Sequence, residues 1–142
     1  MKMVLLLVSL MVGIHAHAGE SMQGQAEGES LRVIMQQLHI DYAALNAAVF
    51  SEDYETAAEA AYNIAYHDKI PMATKMKLKA SMGKEMKTFK QMDMKVHHLA
   101  LDIYKAAEAK DMKALVAKQS QMLSACMACH TSYRSRVIDI LR

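Results

Sequence analysis

The sequence contains very few residues that break helices or build tight turns. Among its 142 residues there are one proline and five glycines, and there is no tryptophan. A β-sandwich or β-barrel needs many more turns than this, so the composition disfavours an all-β fold and favours long helices. Two cysteines cannot build a disulfide-rich scaffold. A formal net charge of +2 is too small to indicate nucleic-acid binding.

Apolar residues make up 53% of the chain, and charged residues make up 23%. This balance is typical of a folded protein and excludes a disordered polyampholyte. A chain of 142 residues can bury one hydrophobic core but is too short for two ordinary domains. Methionine, with 14 residues, is the one strongly enriched type.

The first 18 residues have the pattern of a secretory signal peptide. Lys2 provides the positive start, residues 4–14 form an apolar run, and Ala16-His17-Ala18 is a small-x-small cleavage site. An uncleaved anchor is the alternative, but the run is short for a bilayer. We therefore expect residues 1–18 to be removed on export to the periplasm, leaving residues 19–142 as one domain. No second run reaches membrane length, so the mature protein is predicted not to span a membrane.

Apolar residues recur every three or four positions through most of the remaining chain, which predicts amphipathic helices. Residues 19–29 are rich in glycine and polar residues, and we expect them to form a flexible lead-in. Ser30 and Asp111 can cap the first and last helices, and Pro71 limits the second. The four predicted helices cover approximately residues 31–50, 54–67, 86–107 and 112–140, with residues 72–83 ambiguous between a loop and a helical turn. Short connections between them predict an all-α, antiparallel up-down-up-down four-helix bundle.

The last predicted helix carries Cys126-Met127-Ala128-Cys129-His130, which has the C-x-x-C-H spacing of c-type haem attachment. On a helix, the two cysteines lie on one face, within reach of the two vinyl groups of one porphyrin. His130 follows immediately and can coordinate the iron as the proximal ligand. We therefore expect one covalently bound haem c. The export signal supports this expectation, because c-type attachment occurs outside the cytoplasm.

Two other uses of a cysteine pair are less compatible with the sequence. A thioredoxin-like redox pair requires a strand–helix context, and no strands are predicted. A zinc site built from cysteines requires further ligands, and the chain has no second cysteine pair. Haem attachment is therefore the favoured interpretation.

The signal peptide, the four-helix pattern and the C-terminal position of the haem motif together resemble the cytochrome c-prime family. The run from Cys126 to Arg134 is similar to that family's C-x-x-C-H-x-x-Tyr-Arg pattern. The resemblance implies a haem-containing four-helix bundle. Family members often form homodimers through their first two helices, which the alanine-rich second helix of this chain permits without requiring it.

The segment Arg32-Val33-Ile34-Met35 resembles the first helix of a low-spin branch of that family, in which methionine is the sixth iron ligand. Topology supports Met35 independently, because the start of the first helix and the end of the last share one end of the bundle. We expect Met35 to face the core and to bind the iron opposite His130. The alternative is a core methionine that only packs against the ring.

Two arginines complete the candidate site. The resemblance implies that Arg32 and Arg134 bind the haem propionates, for which a guanidinium offers a two-pronged donor. The alternative is that each side chain simply extends into solvent.

Ligation by histidine and methionine fills both axial positions and raises the iron potential, which suits electron transfer. We therefore expect an exported monohaem cytochrome that transfers single electrons. If Met35 only packs in the core, the iron is five-coordinate and binds small gases such as NO or CO, as in most of the family. The sequence shows no convincing distal acid–base pair, so it does not indicate an enzyme.

Charge is distributed unevenly along the chain. Residues 69–95 contain eight lysines against two acids, whereas residues 20–68 contain nine acids against one arginine. Because the second helix returns to the haem end, we expect Lys69–Lys84 to lie beside the haem and to dock an acidic redox-partner protein. An ordinary solvated face is the alternative.

Six methionines fall within residues 72–94. Their thioethers could hold Cu(I), but core packing in place of leucine is the favoured interpretation. Four histidines are scattered along the chain and are assigned no site: His39, His67, His97 and His98.

Overall fold

The computed structural model describes the backbone of residues 18–142 and the side chains of residues 30–142, and all regular structure in this part is helical. Residues 1–17, which hold nearly all of the predicted signal peptide, lie outside it. Within the described part, no helix is both long and apolar enough to cross a membrane. The helices are α1 (Ala18–Ser51), α2 (Tyr54–Ala65), α3 (Met72–Met82), α4 (Met86–Glu108) and α5 (Met112–Leu141), with a 3-10 turn at Gly83–Glu85.

Helices α1, α2, α4 and α5 form a four-helix bundle, in which each helix packs against two neighbours in that cyclic order. Contacts at two levels give the relative direction of α2 and α4. Tyr62 lies against Tyr104, whereas His67, further along the chain, meets His97, which comes earlier in α4. These two helices are therefore antiparallel, and the contacts of α5 with α4 and α1 follow the same opposed order. The all-α prediction is confirmed.

Helix α2 begins at a side-chain cap and is lined with alanine on its buried face. Asp53 accepts hydrogen bonds from the hydroxyl of Thr56 at 2.6 Å and from its backbone N–H at 3.1 Å, which lowers the pKa of the Asp53 carboxyl. Five of the six buried residues of α2 are alanines, and they share a core cluster with Ala100 and Ala107 of α4. Small side chains on both helices allow close approach over this face.

Three boundaries differ from those predicted. Helix α1 already includes residues 19–29, most of which are good helix formers despite three glycines. Helix α2 ends at Ala65, two residues earlier than predicted. The ambiguous segment forms α3, which starts directly after Pro71 and ends at Gly83. Gly83 has a φ of 54°, a left-handed conformation that favours glycine and ends the helix.

The core consists of two clusters stacked along the bundle. The first lies between α1, α2, α4 and α5 and includes the fully buried Leu45, Ile103 and Leu115. The second lies where α3 takes the place of α2, and its buried members are Leu31, Leu78, Met82, Tyr133 and Leu141. Tyr133 of α5 meets Phe89 of α4 edge-on in this cluster, with ring centroids 5.4 Å apart.

Replacing Ala61 by leucine should destabilise the protein by about 1–3 kcal/mol, because the larger side chain forces apart closely packed helices. Ala61 is completely buried in α2. Urea unfolding followed by circular dichroism measures the effect. The matched control is Ala43→Leu on the exposed side of α1, which should change the stability by less than about 0.5 kcal/mol. Equal stability of the two variants would contradict the close packing of α2.

Candidate functional site

The two thiols of the C-x-x-C-H motif lie on the inner side of α5, between the two core clusters. Cys126 packs against the first cluster and Cys129 against the second. Both cysteines are free and half-buried. They are three positions apart, so they lie on one face of the helix about one turn from each other. This is the arrangement that the spacing of the motif predicts.

Burial raises the pKa of both thiols, which keeps them protonated at neutral pH. The carboxylate of Asp93 on α4 raises the pKa of Cys129 further. Burial, and secondly the nearby Cys126, raise the pKa of the Tyr42 phenol on α1. The thiols therefore lie where α1, α4 and α5 converge, in their less reactive form.

His130 and Met35 lie at the same level of the bundle, on sides of α5 and α1 that face each other. Gln119 Nε2 donates a hydrogen bond to Asn46 Oδ1 across these two helices at 3.3 Å. Eleven residues separate Asn46 from Met35, and eleven separate Gln119 from His130. Eleven residues make about three helical turns, which returns each helix to nearly the same face. Because α1 and α5 are antiparallel, both steps lead towards the same end of the bundle.

Met35 does not face the core, so that part of the prediction is wrong. Its side chain is 41% exposed, whereas the preceding residue, Ile34, is 6% exposed. Ile34 takes the inner position between Leu31 and Leu45, which are also buried, and this turns Met35 towards α5. Apolar residues on one face of a helix recur every three or four positions. Both Ile34 and Met35 satisfy this spacing after Leu31, so the sequence did not distinguish which of the two faces the core.

Helices α1 and α5 pack against each other less extensively than the other adjacent helices do. We call the solvent-facing side of their junction the α1–α5 groove. Met35 lies on its α1 side and His130 on its α5 side, and both side chains are exposed. The predicted iron ligands are thus at the surface of the bundle, whereas the two thiols are half-buried.

Arg32 and Arg134 extend the same groove. Arg32 comes three residues before Met35 on α1, and Arg134 comes four residues after His130 on α5. In an antiparallel pair, both steps lead about one turn further towards the same end of the bundle. Both arginine side chains are exposed.

A second group of functional side chains, which the sequence left unassigned, meets between the end of α2 and α4. His67, Asp93 and His97 each place one ligand atom within 4.8 Å of the others. Both imidazoles are partly buried, and their ring centroids are 4.8 Å apart. The prediction that these two histidines are scattered is wrong. The sequence shows the four-residue spacing of Asp93 and His97, but His67 joins them only because α2 ends early.

The lysine-rich segment Lys69–Lys84 forms α3 and the chain on either side of it. Leu78 of α3 packs in the second cluster with Tyr133 of α5, which follows His130 by three residues. The segment therefore lies at the His130 end of the bundle.

The methionines of residues 72–94 divide into two kinds. Met82 is buried in the second cluster, as core packing predicts. Met72 and Met76 are 69% and 64% exposed, so core packing does not account for them. Copper binding by these exposed thioethers stays the alternative to core packing.

No protein-family model, curated protein or solved structure matches this chain. The site is therefore interpreted from its own donor atoms. Two thiols about one turn apart on the inner side of a helix, followed directly by an imidazole, have the spacing and ligand types that c-type haem attachment uses. The thiols lie among apolar side chains of two separate clusters, which suits a porphyrin. The residues present fit a covalently bound haem.

Both thiols should react slowly with iodoacetamide in the folded, haem-free protein, because burial raises their pKa and limits access. Unfolding in urea removes both effects and should speed the alkylation several-fold. Mass spectrometry follows the reaction, and the single variants Cys126→Ser and Cys129→Ser assign the rates. Equal rates in the folded and unfolded chains would contradict the buried position of the motif.

Proposed function

We propose that the protein is an exported, periplasmic electron-transfer cytochrome with one covalently attached haem c. In this proposal Cys126 and Cys129 form the two thioether bonds, and His130 is the proximal iron ligand. The observation that supports it best is the position of the two free thiols, half-buried between the core clusters on the inner side of α5. The proposed relationship is to the low-spin branch of the cytochrome c-prime family, and the proposed role is electron transfer without enzymatic chemistry.

When bound, haem iron supplies a one-electron couple between Fe(III) and Fe(II). The role of the residues of this chain is to hold the haem iron in a fixed position. Thioether bonds from Cys126 and Cys129 would fix the porphyrin to α5, and His130 would supply its imidazole from the same helix. The same helix is capped at its start by Asp111, which accepts a hydrogen bond from the Ala114 N–H at 2.9 Å, and Lys118 joins it to Asp102 of α4 at 2.9 Å.

Met35 is the proposed sixth ligand. It lies at the level of His130 on the opposite wall of the α1–α5 groove, about three turns from the hydrogen bond between Asn46 and Gln119. Because its side chain is 41% exposed, few core contacts would be broken when its sulfur binds. A thioether ligand stabilises Fe(II) and fills the position that a gas or substrate would otherwise occupy.

Arg32 and Arg134 are the proposed partners of the haem propionates. They lie on the two walls of the groove, about one turn beyond the proposed axial ligands, and both are exposed. Each guanidinium can donate two parallel hydrogen bonds to a carboxylate.

A five-coordinate, gas-binding cytochrome is the second candidate function. The observation that favours it is the exposure of Met35, since no core packing holds the thioether in place. In that case NO or CO would bind at the free axial position, and Met35 would only line the groove.

The oxidised protein should be low-spin and show a near-infrared charge-transfer band from a thioether to iron. Met35→Ala should abolish this band, shift the iron to high-spin and allow rapid CO binding to the reduced form. Visible and near-infrared spectra of the haem-loaded protein measure all three changes. Met94→Ala is the matched control, because Met94 is similarly exposed, at 39%, but lies on α4.

Two results would reject Met35 as the ligand. One is a high-spin wild-type protein that binds CO rapidly, which would favour the gas-binding function. The other is a low-spin Met35→Ala spectrum identical to that of the wild type, which would require a different sixth ligand.

The lysines of Lys69–Lys84 are the proposed docking surface for an acidic redox partner. If so, they also steer small anions, and ferricyanide should oxidise the reduced protein more slowly as salt is added. The double substitution Lys75→Glu and Lys79→Glu should lower the rate roughly tenfold at low ionic strength. Stopped-flow absorbance measures the rate. Lys113→Glu is the control, because Lys113 is exposed at the opposite end of the bundle, and an equal effect of both changes would contradict local steering.

A further inference from the structure

His67 and His97 face each other with ring nitrogens that carry no hydrogen in the neutral imidazoles. His97 Nδ1 lies 2.6 Å from the carbonyl oxygen of Ala65, and His67 Nδ1 lies 2.6 Å from that of Asp68. A carbonyl oxygen can only accept, so each Nδ1 carries the hydrogen and donates it. The other nitrogen of each neutral ring then offers a lone pair. These two Nε2 atoms are 3.1 Å apart.

A third electron-pair donor points to the same place. Asp93 Oδ2 lies 3.8 Å from His97 Nε2, on the turn of α4 that precedes His97. Two imidazole lone pairs and a carboxylate repel one another in the absence of a positive charge. Three such donors that converge on one point form an arrangement that binds a cation.

The distances suit a first-row transition metal. Zinc binds imidazole nitrogen at about 2.0–2.1 Å, so two nitrogens in a tetrahedral site are about 3.3 Å apart. The observed nitrogen pair is at 3.1 Å. The carboxylate needs only a small adjustment, and the Asp93 side chain is free to make it because it is 40% exposed.

The outer contacts are also those of a metal site. Histidines that bind metals usually donate their second ring hydrogen to a backbone carbonyl or a carboxylate, which fixes the tautomer and the ring orientation. Both histidines do this here, through Ala65 and Asp68. The nitrogen left for a metal is therefore Nε2 in each case.

We propose that His67, His97 and Asp93 bind one divalent first-row transition-metal ion, for which Zn²⁺ is the probe. Two imidazoles and one carboxylate leave at least one coordination position for water. The site uses no residue of the C-x-x-C-H motif, so it does not rest on the proposed function.

Metal binding at this site ties the end of α2 to α4. His67 lies just beyond the last residue of α2, and His97 follows it by 30 residues. A metal that bridges them closes the whole segment containing α3. Because the unfolded chain does not hold the three ligands together, the metal stabilises the folded state and raises the melting temperature.

Calorimetric titration of the metal-free protein with Zn²⁺ tests the proposal. One equivalent should bind and raise the melting temperature. His67→Ala and His97→Ala should each lower the zinc affinity by at least about tenfold, because losing even a hydrogen-bond partner of a metal ligand typically lowers the affinity ~10–100-fold. Asp93→Asn should lower the zinc affinity as well. His98→Ala is the matched control, because His98 is an exposed neighbour on α4 outside the cluster.

The same titration on a Cys126→Ser/Cys129→Ser chain excludes the thiols as zinc ligands and separates this result from haem attachment. If His97→Ala fails to fold, His67→Gln replaces it in the titration, because residue 67 lies between α2 and α3 and outside any helix. Absence of zinc binding would overturn the proposal. Binding that survives both histidine substitutions would overturn it too.

Discussion

Helix α2 ends at Ala65, about halfway along its neighbour α4, and the rest of the bundle is arranged around that end. Helix α2 has 12 residues and α4 has 23, so α2 covers roughly 18 Å of a helix roughly 35 Å long. Polar residues 67–69 follow it, and Pro71 prevents a helix from continuing through Ile70. The end of a helix leaves carbonyls without intrahelical partners. The Ala65 carbonyl is one of these, and it accepts a hydrogen bond from His97 instead.

The early end of this short helix helps to position both candidate sites. The space beyond Ala65 is filled by α3, whose Leu78 and Met82 build a second cluster separate from the first. The thiols lie between the two clusters, partly buried and among apolar side chains. The same end of α2 brings the imidazoles of His67 and His97 together beside Asp93. The carboxylate of Asp93 also raises the pKa of the Cys129 thiol. The proposed haem and the proposed metal are therefore neighbours across α4 and α5.

The fold was predictable because its periodic segments are long and its breakers are few. Asp111 was recognisable as a cap, and α4 and α5 follow the predicted limits closely. Ser30, the other predicted cap, lies inside α1, because that helix starts earlier than predicted. The C-x-x-C-H spacing predicted that both thiols lie on one face of α5, because its residues are adjacent in sequence, and the haem that this motif would hold stays a prediction. Met35 was predicted to face the core, whereas its neighbour Ile34 does so, because both residues fit the three-or-four spacing of apolar residues in α1. The pair of His67 and His97 could not be predicted, because it depends on where α2 ends and joins residues 30 positions apart.

The most direct test of the central claim is the intact mass of the protein after production with c-type haem maturation and unfolding in acid. We expect the mass of the chain from residue 19 onward plus one haem, retained after unfolding because two thioether bonds hold it. The added mass should map to the peptide containing Cys126 and Cys129. A chain without added mass, or a haem released on unfolding, would contradict the assignment of this bundle as a c-type cytochrome.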